Sequence, residues 1–362
     1  SSRYPSESAI THTYEVVMKY TIPLAFLLIM LSLGSSCGDD PVGPLLPDST
    51  AQEFTFDVTY IDGDVNATLY DICRINDTCI WAVGWISRRD GTPYGVKYNA
   101  ARWNGDEWLL EQVLDSMPGY SRAQVEPLDL VYGSSPDNIW FACGTLLVHW
   151  DGKKFSTVHH LSNEMKGGLK ECWASGPDNI WMGGMNGELV HFNGRIWRRI
   201  KNDIEYEITG IWGQGDTVLI AATENPVRTR TKFYTVVNEE VRFLMEDSSV
   251  VQVEAVWYEH LRNILAEGPW SYHYDGTSWS VVDRPKAGQV LDVFGINKQD
   301  IVACGNFGTI RHWNGKRWKI WWKQPPVGNA SLRSITMHGN TLWAVGGTNG
   351  KRAVIVTGRR PG

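Results

Sequence analysis

Four histidines recur in one setting, each followed by an aromatic residue and an Asn-Gly or Asp-Gly pair: His149-Trp150-Asp151, His191-Phe192-Asn193, His273-Tyr274-Asp275 and His312-Trp313-Asn314. A set of four imidazoles invites a metal centre, since histidine is a common zinc ligand. Their spacing argues against one. Copies one repeat apart belong to separate structural units, too far apart to share an ion at ~2 Å. The expected role is a hydrogen-bonded residue in each repeat, and Arg102 takes the same place in the first. Neither a metal nor a cofactor is expected.

The cysteines divide by setting. Cys73 and Cys79 bracket a turn, where a disulfide and a pair of free thiols are both open. Cys143 and Cys304 sit in matching Ala-Cys-Gly strings and read as small core residues, and Cys172 has no evident partner. There is no glycine-rich phosphate loop, zinc-protease helix or Gly-x-Ser-x-Gly elbow in the sequence.

These residues sit on a repeat. Its first signature is aromatic, Asn or Asp, Gly, two residues, aromatic: Trp103-Asn104-Gly105 with Trp108, then copies ending at Phe155, Trp197, Trp279 and Trp318. Asn-Gly and Asp-Gly favour the type I′ turn, so each copy is expected to be a β-hairpin. A second signature precedes it: Pro136-Asp137-Asn138-Ile139-Trp140 and Pro177-Asp178-Asn179-Ile180-Trp181, with weaker copies ending at Trp81 and Trp343. Pro-Asp-Asn reads as a turn leading into a buried strand. The unit is therefore four strands. Seven first strands are expected near Leu69, Leu128, Leu169, Ile208, Val253, Val290 and Leu332. That spacing fits the ~40–50 residues of a propeller blade. Of the 18 tryptophans, 14 fall on repeat positions, which points to packing between blades.

The predicted fold is all-β: a seven-bladed β-propeller of four-stranded antiparallel blades over residues 53–362. The last unit lacks a fourth strand, and residues 54–60 (FTFDVTY) alternate cleanly ahead of the first. That strand is expected to close the ring as the outer strand of the last blade, removing an exposed seam. The repeated blades resemble those of bacterial secreted β-propellers of the broad Kelch, Asp-box and YVTN-like kind. The resemblance covers residues 53–362 and implies the fold; such propellers host many activities.

The N-terminal part reads as an address. Residues 21–33 (TIPLAFLLIMLSL) form a 13-residue apolar run, short of the ~20 needed to span a membrane. Lys19 precedes it and Gly34-Ser35-Ser36 follows, so residues 18–36 read as a secretory signal and residues 1–17 as upstream translation. Small residues before Cys37 resemble the lipobox of bacterial lipoproteins, which implies lipid on Cys37. Leu33 stands one place further from the cysteine than that pattern expects, so ordinary cleavage after Ser36 is the alternative. Residues 37–52, with three prolines, read as a tether. The expected location is the bacterial cell envelope.

With 34 basic and 40 acidic residues the net charge is −6, which argues against nucleic acid as a partner. Loops between second and third strands are expected to share one face around the channel mouth. They carry Arg88, Arg89, Lys97, Arg228, Arg230, Lys232, Lys351 and Arg352 against Asp90, Glu188, Glu224 and Glu267. Trp85, Trp270 and Phe307 lie among them. Aromatic faces stack on sugars or cations and arginine forks grip carboxylates, so Trp85, Arg88, Arg89, Arg228, Arg230, Trp270 and Phe307 are the candidate ligand site. The function expected is non-catalytic binding or scaffolding, with an acidic glycan or a protein as ligand. The alternative is a glycan hydrolase or lyase, which would need two converging carboxylates from Glu188, Glu224 and Glu267.

Overall fold

The computed structural model describes residues 53–89, 95–114, 126–158, 161, 164–225, 227, 229–284, 288–321, 327–348 and 351–361. The chain divides into Ser1–Pro47 and Asp48–Gly362, and only the second unit contains described residues. Cys37, Arg228 and the signal and tether segments therefore lie outside them.

Seven four-stranded antiparallel sheets follow one another along the chain. Blade 1 comprises Asn66–Asn76, Cys79–Arg88, Val96–Trp103 and Trp108–Glu111. Blades 2 to 6 span 130–158, 169–199, 207–246, 255–283 and 290–320. Blade 7 takes Ser331–His338, Thr341–Thr348 and Arg352–Arg359 from the C-terminal end and Thr55–Asp62 from the N-terminal side. Thr55–Asp62 pairs along its whole length with Arg352–Arg359, and Asp57–Arg359 and Asp62–Arg352 ion pairs flank the ladder. The ring closes as the sequence indicates.

The core lies between blades. Seven buried clusters occur, one for each pair of neighbouring blades, including the pair formed by blades 7 and 1. Tryptophan supplies much of it: Trp197 is almost wholly buried beside Trp140 and Phe192. Rings this large remove enough apolar surface to hold two sheets together face to face.

The repeated hairpin turn differs from expectation. Gly105, Gly152, Gly194, Gly276 and Gly315 have positive φ, while the Asn or Asp before each does not. That residue instead turns its side chain inward. Asn104 Oδ1, for example, accepts the N–H groups of Asp106 and Glu107, both at 2.9 Å. The loop thus has four residues, and the side chain stabilises it as an Asx turn. The two-residue turn with positive φ at both positions occurs in blade 4, at Asn238-Glu239, which lacks the motif.

Candidate functional site

The first strands of all seven blades surround a central channel. Each strand enters from the face carrying the longer connections (the loop face) and leaves at the face carrying the hairpin turns (the turn face). In blades 1, 3, 4, 6 and 7 the ladder is interrupted by a bulge near the loop-face end, at Leu69/Asp71, Leu169/Glu171, Ile208/Gly210, Val290/Asp292 and Leu332/Ser334. A bulge adds one residue and re-aims its side chain. Here it leads Tyr70, Lys170, Thr209, Leu291 and Arg333 to the channel mouth, with Asp129 and Glu254 from blades 2 and 5. The seven positions line a funnel of about 530 Å³, together with Glu171 and Glu207.

The funnel is a patchwork of both charges. Lys170 Nζ lies 2.9 Å from Asp129, and the Arg333 guanidinium lies over the Tyr70 ring at 5.3 Å. Glu207 accepts from Asn225 at 2.6 Å, and Glu254 from Gln289 at 2.5 Å. Acids outnumber bases among the lining residues: Asp129, Glu207 and Glu254 face Lys170 and Arg333, and Glu171 joins them as a carboxyl group that burial biases towards its protonated form.

Below the funnel lies a second chamber of about 510 Å³, and Glu171 lines both. Asp71 and Asp292 line the lower chamber and clamp blades together. Asp71 accepts the Val131 N–H of blade 2 and the Ser334 hydroxyl of blade 7, both at 2.8 Å. Asp292 accepts the Ile335 N–H of blade 7 at 2.8 Å. Burial pushes Asp71 up to about 6 and Asp292 up to about 7, against the lowering effect of these bonds. Glu171 is raised well above the usual carboxylate range, by burial first and by the neighbouring carboxylates second.

The candidate loop residues are placed elsewhere. Arg88 donates to the Asp62 carbonyl, and the Arg89 N–H donates to Asp64. Trp85 is covered by Lys97 at 5.2 Å, and Trp270 by Arg284 at 5.0 Å. Arg230 lies 3.7 Å from Glu224. Phe307 is exposed with a φ of 58°. These residues belong to blades 1, 4, 5 and 6, and none lines the funnel. The three glutamates expected at the mouth do not converge. Glu188 is wholly buried against Arg199 at 2.7 Å, Glu224 holds Thr229 and Arg230, and Glu267 is buried against Arg311.

The histidines take the hydrogen-bonded role. In blades 2, 3, 5 and 6, His149, His191, His273 and His312 each place Nε2 2.7–2.9 Å from an oxygen of Asn138, Asn179, Asn263 or Asp300. The partner is the first residue of the second strand, so the Asn of the Asp-Asn-Ile-Trp string serves the histidine as well as the turn. Arg102 in blade 1 bonds Glu111 and lies over Trp81. Among the described residues no group of three or more His, Cys, Asp or Glu is arranged to hold a metal ion.

The Cys73–Cys79 disulfide is not formed; both are free thiols. Cys73 stands directly opposite Trp81, which makes Cys79 its diagonal neighbour, a separation of about 7–8 Å that exceeds disulfide reach. The Cys73 thiol instead meets the backbone of Gly133 in blade 2. Burial pushes Cys73 up to about 12 and raises Cys172 and Cys304, so these thiols are poor nucleophiles.

Fold and funnel together define a seven-bladed β-propeller whose channel mouth is irregular. The chain is similar to YCF48 bound to D1 peptide, at TM-score 0.60 and 13% identity over 84% of this chain and 97% of that one. It is also similar to YCF48 from Cyanidioschyzon merolae (0.57, 16%, over 83% and 98%) and to the WD40 β-propeller domain of Doa1 (0.59, 14%, over 84% and 97%). At these identities the likeness is one of fold. No protein-family model and no curated protein sequence matches the chain.

Proposed function

We propose that this chain is a non-catalytic binding propeller, exported and anchored by lipid on Cys37 to the bacterial cell envelope, which holds a protein segment at the loop-face funnel. The carrying observation is the funnel itself: seven dissimilar residues, one from each blade, lining one opening of about 530 Å³. A symmetric ring would offer the same contact seven times. This one offers a cation pair, an aromatic ring, an apolar side chain and several acids in fixed order, which suits an irregular chain segment. A structural neighbour, YCF48, is bound to a peptide, which supports a protein ligand. The surplus of acids favours a segment rich in lysine or arginine over an acidic glycan. The enzyme reading weakens because Glu188, Glu224 and Glu267 are each tied within separate contacts.

The test is site-directed photocrosslinking of the full chain in the native envelope, with probes at Tyr70 and Trp85. Crosslinks to a protein at Tyr70 alone, competed by a lysine-rich peptide, are expected. Salt-sensitive binding of acidic glycans, abolished by Trp85→Ala with Arg88→Ala, would overturn the protein reading. Incorporation of labelled fatty acid, lost in Cys37→Ser, checks the anchor.

A further inference from the structure

On the turn face, the junctions between blades 3 and 4, blades 5 and 6, and blades 6 and 7 are built alike but filled differently. In each, the histidine of one blade, with its Asn or Asp partner, faces the turns of the next. Between blades 3 and 4 the chain fills the cleft with an acid. His191 Nδ1 lies 2.7 Å from Glu239, carried by the Asn238-Glu239 turn of blade 4, and a void of only about 170 Å³ remains. Between blades 6 and 7 it uses a base. Arg360 bonds both oxygens of Asp300, at 2.8 and 2.6 Å, and Asn340 at 3.0 Å. Between blades 5 and 6 a cleft of about 390 Å³ stays open.

In that open cleft His273 holds Asn263 through Nε2 at 2.8 Å, as His191 holds Asn179. At the place of the Asn238-Glu239 turn, blade 6 carries Asn314-Gly315-Lys316, which brings a lysine where blade 4 brings a glutamate. Three cations line the cleft instead: Arg262, Lys298 and Lys316. Of its two acids, Glu259 is engaged by Lys298 at 3.7 Å and by His260 at 3.9 Å. Asp275 is committed to its own turn, accepting from Thr277 and Ser278. Trp257 and Trp313 supply apolar wall.

We infer that the cleft between blades 5 and 6 is a second binding site, for the carboxylate of an acidic peptide side chain that seats against His273, Lys298 and Lys316 as Glu239 seats against His191. The internal glutamate is the reason for choosing a peptide: the same group, delivered by the same kind of chain, already occupies the equivalent cleft. This site is on the face opposite the funnel and stands independently of it. Its ligand has the opposite charge preference. Burial holds His273 below the usual histidine value, and a carboxylate at Nδ1 would favour the doubly protonated ring. His260, Glu259, Asp275, Arg262, Lys298 and Lys316 are the other charged or titratable groups facing it. Binding is therefore coupled to proton uptake and tightens as pH falls towards 6.

The test is titration of the full chain with a short neutral-capped peptide containing two glutamates, followed through the His273 ring signals by NMR. Saturable shifts are expected, weakening about tenfold with Lys316→Glu, which supplies the cleft with an acid of its own, and severalfold with Lys298→Ala. Both residues are on exposed turns, and the unfolding midpoint confirms that the variants fold. The converse variant, Glu239→Ala, is expected to open a second site at His191. Unmoved His273 signals, equal binding by Lys316→Glu, or tighter binding of galacturonate than of the peptide would overturn the inference.

Discussion

The two faces of this ring are made by different rules. On the turn face, one arrangement recurs: histidine on Asn or Asp, and an Asx turn closed by glycine, with a tryptophan stacked on the histidine in blades 2 and 3. On the loop face, the channel mouth takes one residue from each blade and no two neighbours match: Tyr70, Asp129, Lys170, Thr209, Glu254, Leu291, Arg333. A repeat that must pack against copies of itself keeps the residues that pack. Positions that only face a shared opening are released from that constraint. In this molecule repetition marks the scaffold, and it is lost where residues face the shared channel mouth.

The sharpest way to break that division is to ask whether charge beside the loop face is scaffold when it is buried. Arg311 of blade 6 is wholly buried and bonds Glu267 and Ser271 of blade 5, with Asp283 at 3.0 Å and the Trp318 ring at 4.3 Å. Removing it strands a buried carboxylate. Arg311→Ala is expected to cost about 3–5 kcal/mol in denaturant unfolding. A loss below about 1 kcal/mol would mean that water reaches Glu267 and that the pair is not a tie between blades.

A smaller effect is expected on the turn face. Asn179 Oδ1 serves both His191 and the Trp181 indole, at 2.9 and 2.8 Å. Asn179→Ala leaves two donors unserved and is expected to cost about 1–3 kcal/mol. The same substitution at Asn263, which serves His273 beside an open cleft, should cost less. Equal costs would show that the clefts are energetically alike, whatever fills them.

How far each face could be read from sequence follows the same division. The blades were legible because Asn-Gly turns and Asp-Asn-Ile-Trp strings repeat, and the closing strand because residues 54–60 alternate while the last unit lacks a fourth strand. The funnel was not legible. Its residues follow bulges such as Leu69/Asp71, and a bulge leaves no mark in the alternation of apolar and polar residues. Basic residues in the loops gave a visible signal, yet Arg88 and Arg230 are held by partners in their own surroundings. The Asn–His pairs were missed for another reason: an Asn after Pro-Asp reads as a turn residue, and its second bond spans ten or more residues.

The channel carboxylates give a pH test of the central wall, the region joining both faces. Asp71 and Asp292 are raised to about 6 and 7, chiefly by burial, and Glu171 is raised as well. The folded chain then holds protons that the unfolded chain has released above about pH 4. Their contribution is complete below that value and is lost as pH rises through 6 to 7. His149 and His273, held below the usual value by burial, act in the opposite sense, but only up to about pH 6.5. Between pH 6.5 and 8 the carboxylates stand alone. The unfolding free energy is expected to fall there by about 1 kcal/mol per pH unit. A flat profile would mean that the wall is hydrated enough to keep these acids ionised.

The smallest effect on stability tests the proposed function most directly. Lys170 and Arg333 are exposed at the mouth, one ion-paired to Asp129 and one lying over Tyr70. Exposed pairs contribute little, so Lys170→Ala and Arg333→Ala should each change stability by no more than about 0.5 kcal/mol. If the mouth is a recognition surface, these variants alter partner capture while the melting curve stays in place. If the mouth is scaffold after all, capture is unchanged or falls only in step with stability. Measuring both quantities on the same variants separates the two cases, because a packing residue cannot lose one without the other.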